Sequence, residues 1–201
     1  MAQACDFLTL GREGTAIFKE KMSKFIAFAR HVASAEEARN AVAEITSRYH
    51  DARHVCWAYM LGPDRLEFLS SDNGEPSGTA GKPILGQINS AGLTDCVVIV
   101  VRYFGGIKLG TSGLIAAYRE AARLAIAEAE TVADCVRTDI SFTFPYMSMN
   151  DVMKIAKGGD AEIVGQEFDN TCRMTLRART DMAAALTSRL TSIDGVTLSE
   201  T

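Results

Sequence analysis

The period of hydrophobic and polar positions changes several times along this chain, and each change marks an element. Thr15 to Lys21 and Lys24 to Val32 each suit a β-strand, with the polar stretch KEKMSK (19–24) turning between them. Ser34 then stands as an N-cap with Glu36 and Glu37 in a first helical turn, and Ala38, Ala41, Val42 and Ile45 recur at helical spacing up to Tyr49. Val55 to Leu61 and Arg65 to Leu69 read as a second hairpin about Gly62, Pro63 and Asp64. The stretch SSDNGEPSGTAG (70–81) reads as an ordered surface loop, followed by a short helix from Lys82-Pro83 to about Gly92 with Ile84, Leu85 and Ile88 on its apolar face. From Asp95, DCVVIVVRYF is a β-branched run suited to a strand buried on both faces; it feeds GGIKLGTSG and a long helix from about Gly110 to Glu130.

Beyond residue 136 the predicted order is strand (137–145), helix (148–158), strand (160–168), strand (171–179), helix (181–192) and strand (195–199). A turn at Asp169-Asn170 joins the middle strands, and Asp181 is placed as a helix N-cap. This βαββαβ order matches the ferredoxin-like architecture. The expectation is an α+β protein of two domains, 1–135 and 136–201.

Composition narrows the class. With 47% hydrophobic and 23% charged residues the chain is an ordinary globular one. Residues 1–136 hold 14 basic against 16 acidic side chains and residues 137–201 hold 7 against 9, so neither domain has the basic excess that drives nonspecific duplex DNA binding. The five cysteines are scattered, with no CxxC pair or short Cys/His spacing for zinc, and fit a reducing compartment. The start, MAQACDFLTLGREG, has no basic leader followed by an apolar stretch, and no apolar run approaches membrane-spanning length, so a cytoplasmic location is expected.

Three segments carry candidate chemistry. Asp51-Ala-Arg53-His54 sets an imidazole beside a guanidinium, able to bind an anion or shuttle a proton, or simply to cap the preceding helix. The 70–82 loop offers Asp72, Glu75, Ser77 and Thr79 with Lys82 at its end; two carboxylates three residues apart can hold a cation, while Asn73-Gly74 and Glu75-Pro76 also serve a tight loop. The third segment runs from Arg102 through Tyr103, Phe104 and Lys108 to Gly110, Thr111, Ser112 and Gly113, setting cations and hydroxyls by a helix N-terminus, where free N–H groups favour phosphate. It meets neither GxGxxG nor GxxxxGK[ST], and Gly105-Gly106 equally suits close packing of helix on strand. The aromatic–Arg juxtaposition suits stacking on unpaired bases, and one of the two rings equally suits the core.

These same stretches, DARHVCWAY (51–59), SSDNGEPSGTAGKPIL (70–85) and VVIVVRYFGGIKLGTSGL (97–114), resemble the characteristic segments of the YigZ/IMPACT family. The resemblance implies a first domain like the second domain of a small-subunit ribosomal protein and domain IV of elongation factor G, an α/β sandwich. It implies a ferredoxin-like second domain similar to domain V of that factor. Val55, Asn73 and Ser112 stand where a second histidine, an aspartate and a glycine are commoner in the family, and the first two weaken a metal-site reading.

The leading expectation is a noncatalytic, translation-associated regulator that binds RNA or the ribosome, with no cofactor and no catalytic residue assigned. Its surface is expected to gather Arg53, His54, Lys82, Arg102 and Lys108, with Tyr103 as the stacking group and the three segments converging. One alternative is an enzyme or binder acting on a phosphorylated small molecule or nucleotide, with phosphate at Gly110 to Gly113 and Mg²⁺ on Asp72 or Glu75. Another is a protein-interaction module that docks a protein partner through the 70–82 loop.

Overall fold

The structure, a computed structural model, describes residues 7–169 and 171–199. The chain divides into two compact units, Met1–Asp134 and Cys135–Thr201. The first six residues, with Cys5, and the Asn170 half of the expected Asp169-Asn170 turn lie outside the described residues.

In the first unit, β2 (Gly14–Glu20) and β3 (Ser23–His31) form a hairpin whose turn residues Lys21 and Met22 both have positive φ. α1 (Ala35–Arg48) starts where Ser34 Oγ accepts the Glu37 N–H, while the Glu37 carboxylate reaches back to the Ala33 N–H at 2.8 Å. Two early donors are thereby satisfied. β4 (His54–Leu61) pairs with β5 (Glu67–Ser71), α2 spans Gly81–Ser90, and β6 (Cys96–Tyr103) leads to α3 (Gly110–Glu128).

Strands β2-β3-β6-β4-β5 make one antiparallel sheet, with β6 in the middle. Because β6 has helices against both faces, every residue from Cys96 to Val101 is buried. One face, with Phe25, Ala27, Cys56, Ala58, Val98 and Val100, packs under α2 and α3; the other, with Ile26, Phe28, Val97, Ile99 and Val101, packs under α1. The unit is closed by two strands that local pattern did not predict, β1 (Phe7–Arg12) and β7 (Glu130–Asp134), which pair with each other antiparallel.

The second unit is built from β8 (Arg137–Pro145), α4 (Met149–Ala156), β9 (Ala161–Glu167), β10 (Thr171–Arg179), α5 (Thr180–Thr191) and the short β11 (Thr197–Leu198). Its sheet order β11-β8-β10-β9 is antiparallel throughout, and Ile140, Phe142, Phe144, Met174 and Leu176 on one face pack against Val152, Leu186 and Leu190 of the helices. The βαββαβ order thus folds as a ferredoxin-like layer pair. Asp181 is not the N-cap of α5: Arg179 holds that place, and Asp181 lies in the first turn, its carboxylate accepting from Arg179 Nε at 3.0 Å and Nη2 at 2.9 Å.

Candidate nucleic-acid interface

Strand register assembles the site. Phe25 of β3 lies opposite Arg102 of β6, and Arg102 lies opposite His54 of β4, so three residues distant in sequence stand side by side in one row. All three point to the sheet face that carries α2 and α3, because side chains alternate along a strand. Above this row sits the 72–80 loop. Asp72 accepts the Glu75 N–H at 2.9 Å across a tight turn, with Asn73 and Gly74 at φ +37° and +83°, the type I′ geometry that Asn-Gly adopts readily.

Both loop carboxylates are spent on structure. Asp72 accepts N–H groups from Gly78 at 2.7 Å, Ala80 at 2.9 Å and Gly81 at 2.8 Å, and so caps the start of α2 from outside it. Burial works against its charge, but these three donors and nearby Lys82 hold its carboxyl below the usual range. Glu75 Oε1 accepts from Arg102 Nη1 at 2.6 Å and from the Tyr118 hydroxyl at 2.8 Å, with side-chain exposures of 3% for Glu75 and 7% for Arg102. The Arg102 guanidinium lies 5.6 Å from the ring centres of both Phe25 and Phe104. Cys56 donates to the Asp72 carbonyl at 2.9 Å and lies 3.4 Å from the Tyr118 hydroxyl; burial pushes its thiol up to about 12. Burial, then Cys56 and Glu75, likewise raise the Tyr118 phenol.

Beside this network opens a cleft of about 490 Å³, bordered by Arg53 and His54, by Gly74 to Pro76, and by Arg102, Phe104, Lys108, Gly110 and Thr111. All three segments therefore contribute to one cavity. Arg53 and Lys108 are exposed and have no ion-pair partner among the described residues, whereas Arg102 is neutralised by Glu75. α3 begins at Gly110, whose φ is +74°; Leu109 at its N-cap has no side-chain acceptor to offer the first-turn N–H groups. The helix dipole adds a positive end there. His54 Nδ1 lies 3.0 Å from the Asn73 carbonyl, an acceptor only, so Nδ1 carries the proton and a neutral ring keeps Nε2 as an acceptor. Gly105 is required for the loop to sit here: a Cβ on it would fall 2.0 Å from the Met22 carbonyl carbon.

Residues 21–126 match the model of the Impact N-terminal domain. The chain belongs to the IMPACT family. An IMPACT family member of Haemophilus influenzae is 34% identical over 183 residues, covering 89% of each chain, and the family member YigZ of Escherichia coli is 34% identical over 156 residues, 77% of this chain and 76% of the relative. A crystal structure described only as that of a hypothetical protein superposes with a TM-score of 0.77 at 28% identity, over 96% of this chain and 95% of the other.

The remaining expected site residues fall elsewhere. Tyr103 follows Arg102 on the strand and therefore points to the opposite face, where its ring packs among the α1-side core and its hydroxyl donates to Asp51 at 2.6 Å. That bond raises the Tyr103 phenol to about 12 and lowers the Asp51 carboxyl. The aromatic ring at the cleft is Phe104, which is 50% exposed. Lys82 is exposed on α2 and does not border the cleft. Thr79 is buried, its hydroxyl donating to the Pro76 carbonyl at 2.6 Å; Ser77 is exposed on the loop. Ser112 is exposed on α3 outside the cleft, and Gly113 faces a separate cavity with Phe18, Lys21 and Arg119. Mg²⁺ binding by Asp72 or Glu75 does not fit, because each carboxylate is already occupied by protein donors. Among the described residues no group of three or more His, Cys, Asp or Glu side chains could hold a metal ion, and no helix is long and apolar enough to cross a membrane.

Proposed function

We propose that this protein is a noncatalytic regulator associated with translation, which attaches to RNA or the ribosome through the cleft of its first unit. The observation that supports this reading is the meeting of Arg53, Lys108 and the exposed Phe104 at the uncapped start of α3. Two unpaired cations and a helix N-terminus favour phosphate, and an exposed ring beside them favours an unpaired base. The cation set is smaller than the sequence suggested, since Arg102 is paired and Lys82 lies away. A local attachment of this kind is compatible with a chain of net charge −4, because screening confines the effect of distant surface charge to about 10 Å at 0.1 M salt. The RNA-binding surface is thus a patch, and attachment is salt-sensitive.

Cosedimentation with purified ribosomes and with total RNA at low salt tests the reading. Wild-type protein is expected to pellet and Arg53→Ala/Lys108→Ala to remain in the supernatant. Pelleting of neither, or of both alike, would overturn it.

A further inference from the structure

We infer that the cleft holds one unpaired nucleotide of an RNA strand, with its phosphate at the start of α3 and its base on the outer face of Phe104. This rests on the RNA-binding reading above and names the unit that is recognised.

Size comes first. A cavity of about 490 Å³ is in the range of small-ligand sites, roughly 300 to 1,000 Å³, and takes a single nucleotide rather than a paired helix. The phosphate side is built from Arg53, Lys108 and the first-turn N–H groups of a 19-residue helix. Arg102 borders the cleft at 6% exposure and, held by Glu75, shapes its wall.

The base side is Phe104. Its inner face is occupied by the Arg102 guanidinium, which is itself backed by the buried Phe25 ring. The guanidinium lies 5.6 Å from each ring centre, and half of the Phe104 surface remains in solvent. A base laid on that exposed surface gains an aromatic stacking contact beside the cation. Bases inside a duplex do not expose their faces, so the site selects unpaired nucleotides. His54 borders the cleft as well, its Nδ1 held by the Asn73 carbonyl.

The test uses a tetranucleotide RNA carrying 2-aminopurine, alone or annealed to a longer complement, with the full chain and its Phe104→Ala and Phe104→Tyr variants. Thermal melting first establishes that both variants fold. The expected result is binding of the single strand with quenched 2-aminopurine fluorescence, weaker binding of the duplex, about a tenfold or greater loss in Phe104→Ala and retention in Phe104→Tyr. Equal binding of single strand and duplex, or an unaffected Phe104→Ala, would each overturn the inference. If wild-type protein still pellets with ribosomes in those cases, the proposed function stands and only the nucleotide pocket is lost; without pelleting both fall.

Discussion

The Glu75 carboxylate and the Arg102 guanidinium lie 2.6 Å apart with almost no exposure, and the same Glu75 oxygen accepts the Tyr118 hydroxyl. One carboxylate thus ties the 72–80 loop to the central strand and to α3, so the pair positions the cleft wall instead of offering free charge. Removing one partner of a buried pair leaves the other charge uncompensated, at a cost of about 3–5 kcal/mol. Glu75→Ala should therefore lower the stability of the first unit by about that amount, read as a reduced denaturant midpoint. An unchanged midpoint would show that the pair holds nothing together.

Asp72 gives a pH signature. Its folded carboxyl sits below the usual range because three backbone donors outweigh the opposing effect of burial. A depressed carboxyl stabilises fully above its unfolded value, near pH 4, and the gain disappears as pH falls through the folded value. The stability gap between wild type and Asp72→Asn should be widest above about pH 5 and should close toward pH 2. A gap that stayed constant over this range would contradict the charge-assisted cap.

The buried thiols should be silent. Burial raises both Cys56 and Cys96 to about 12, so neither forms appreciable thiolate at pH 8. Mass spectrometry after iodoacetamide treatment should find both unmodified in the native protein and alkylated in denaturant. Rapid native labelling of Cys56 would mean that the Cys56, Tyr118 and Asp72 contacts open readily.

Gly105 admits no side chain without displacement of the β2–β3 turn, since a Cβ would lie 2.0 Å from the Met22 carbonyl carbon and 2.4 Å from the Ser23 nitrogen. Gly105→Ala should cost about 1–3 kcal/mol, or more if the turn cannot shift. It should also weaken RNA attachment by moving Phe104 and Lys108. A variant with wild-type melting behaviour would show that the loop and turn are not in such close contact.

Much of the fold was legible because its signals are local. The Ser34 cap, the unbroken apolar run of β6 and the alternating order of the second unit each lie within one stretch of chain. The β1–β7 ribbon was not legible, because it pairs the two ends of the first unit: Phe7 meets Asp134 and Arg12 meets Glu130. The meeting of three segments at one cleft followed from their shared loop character, but the roles inside it did not. Arg102 reads as a free cation in sequence because its partner, Glu75, lies 27 residues away. Strand parity decides between the two rings: adjacent residues on β6 face opposite ways, so Tyr103 does not share a face with Arg102, while Phe104 lies past the strand end.

The cleft as an RNA site is tested most directly by the slope of log affinity against log salt for a single-stranded RNA, measured for wild type and for Arg53→Ala/Lys108→Ala. Each phosphate contact on a single strand contributes about 0.7 to that slope. The variant should bind more weakly, with a slope shallower by about 0.7, because both cations serve the same phosphate. An identical slope and affinity in the two proteins would contradict phosphate binding by Arg53 and Lys108.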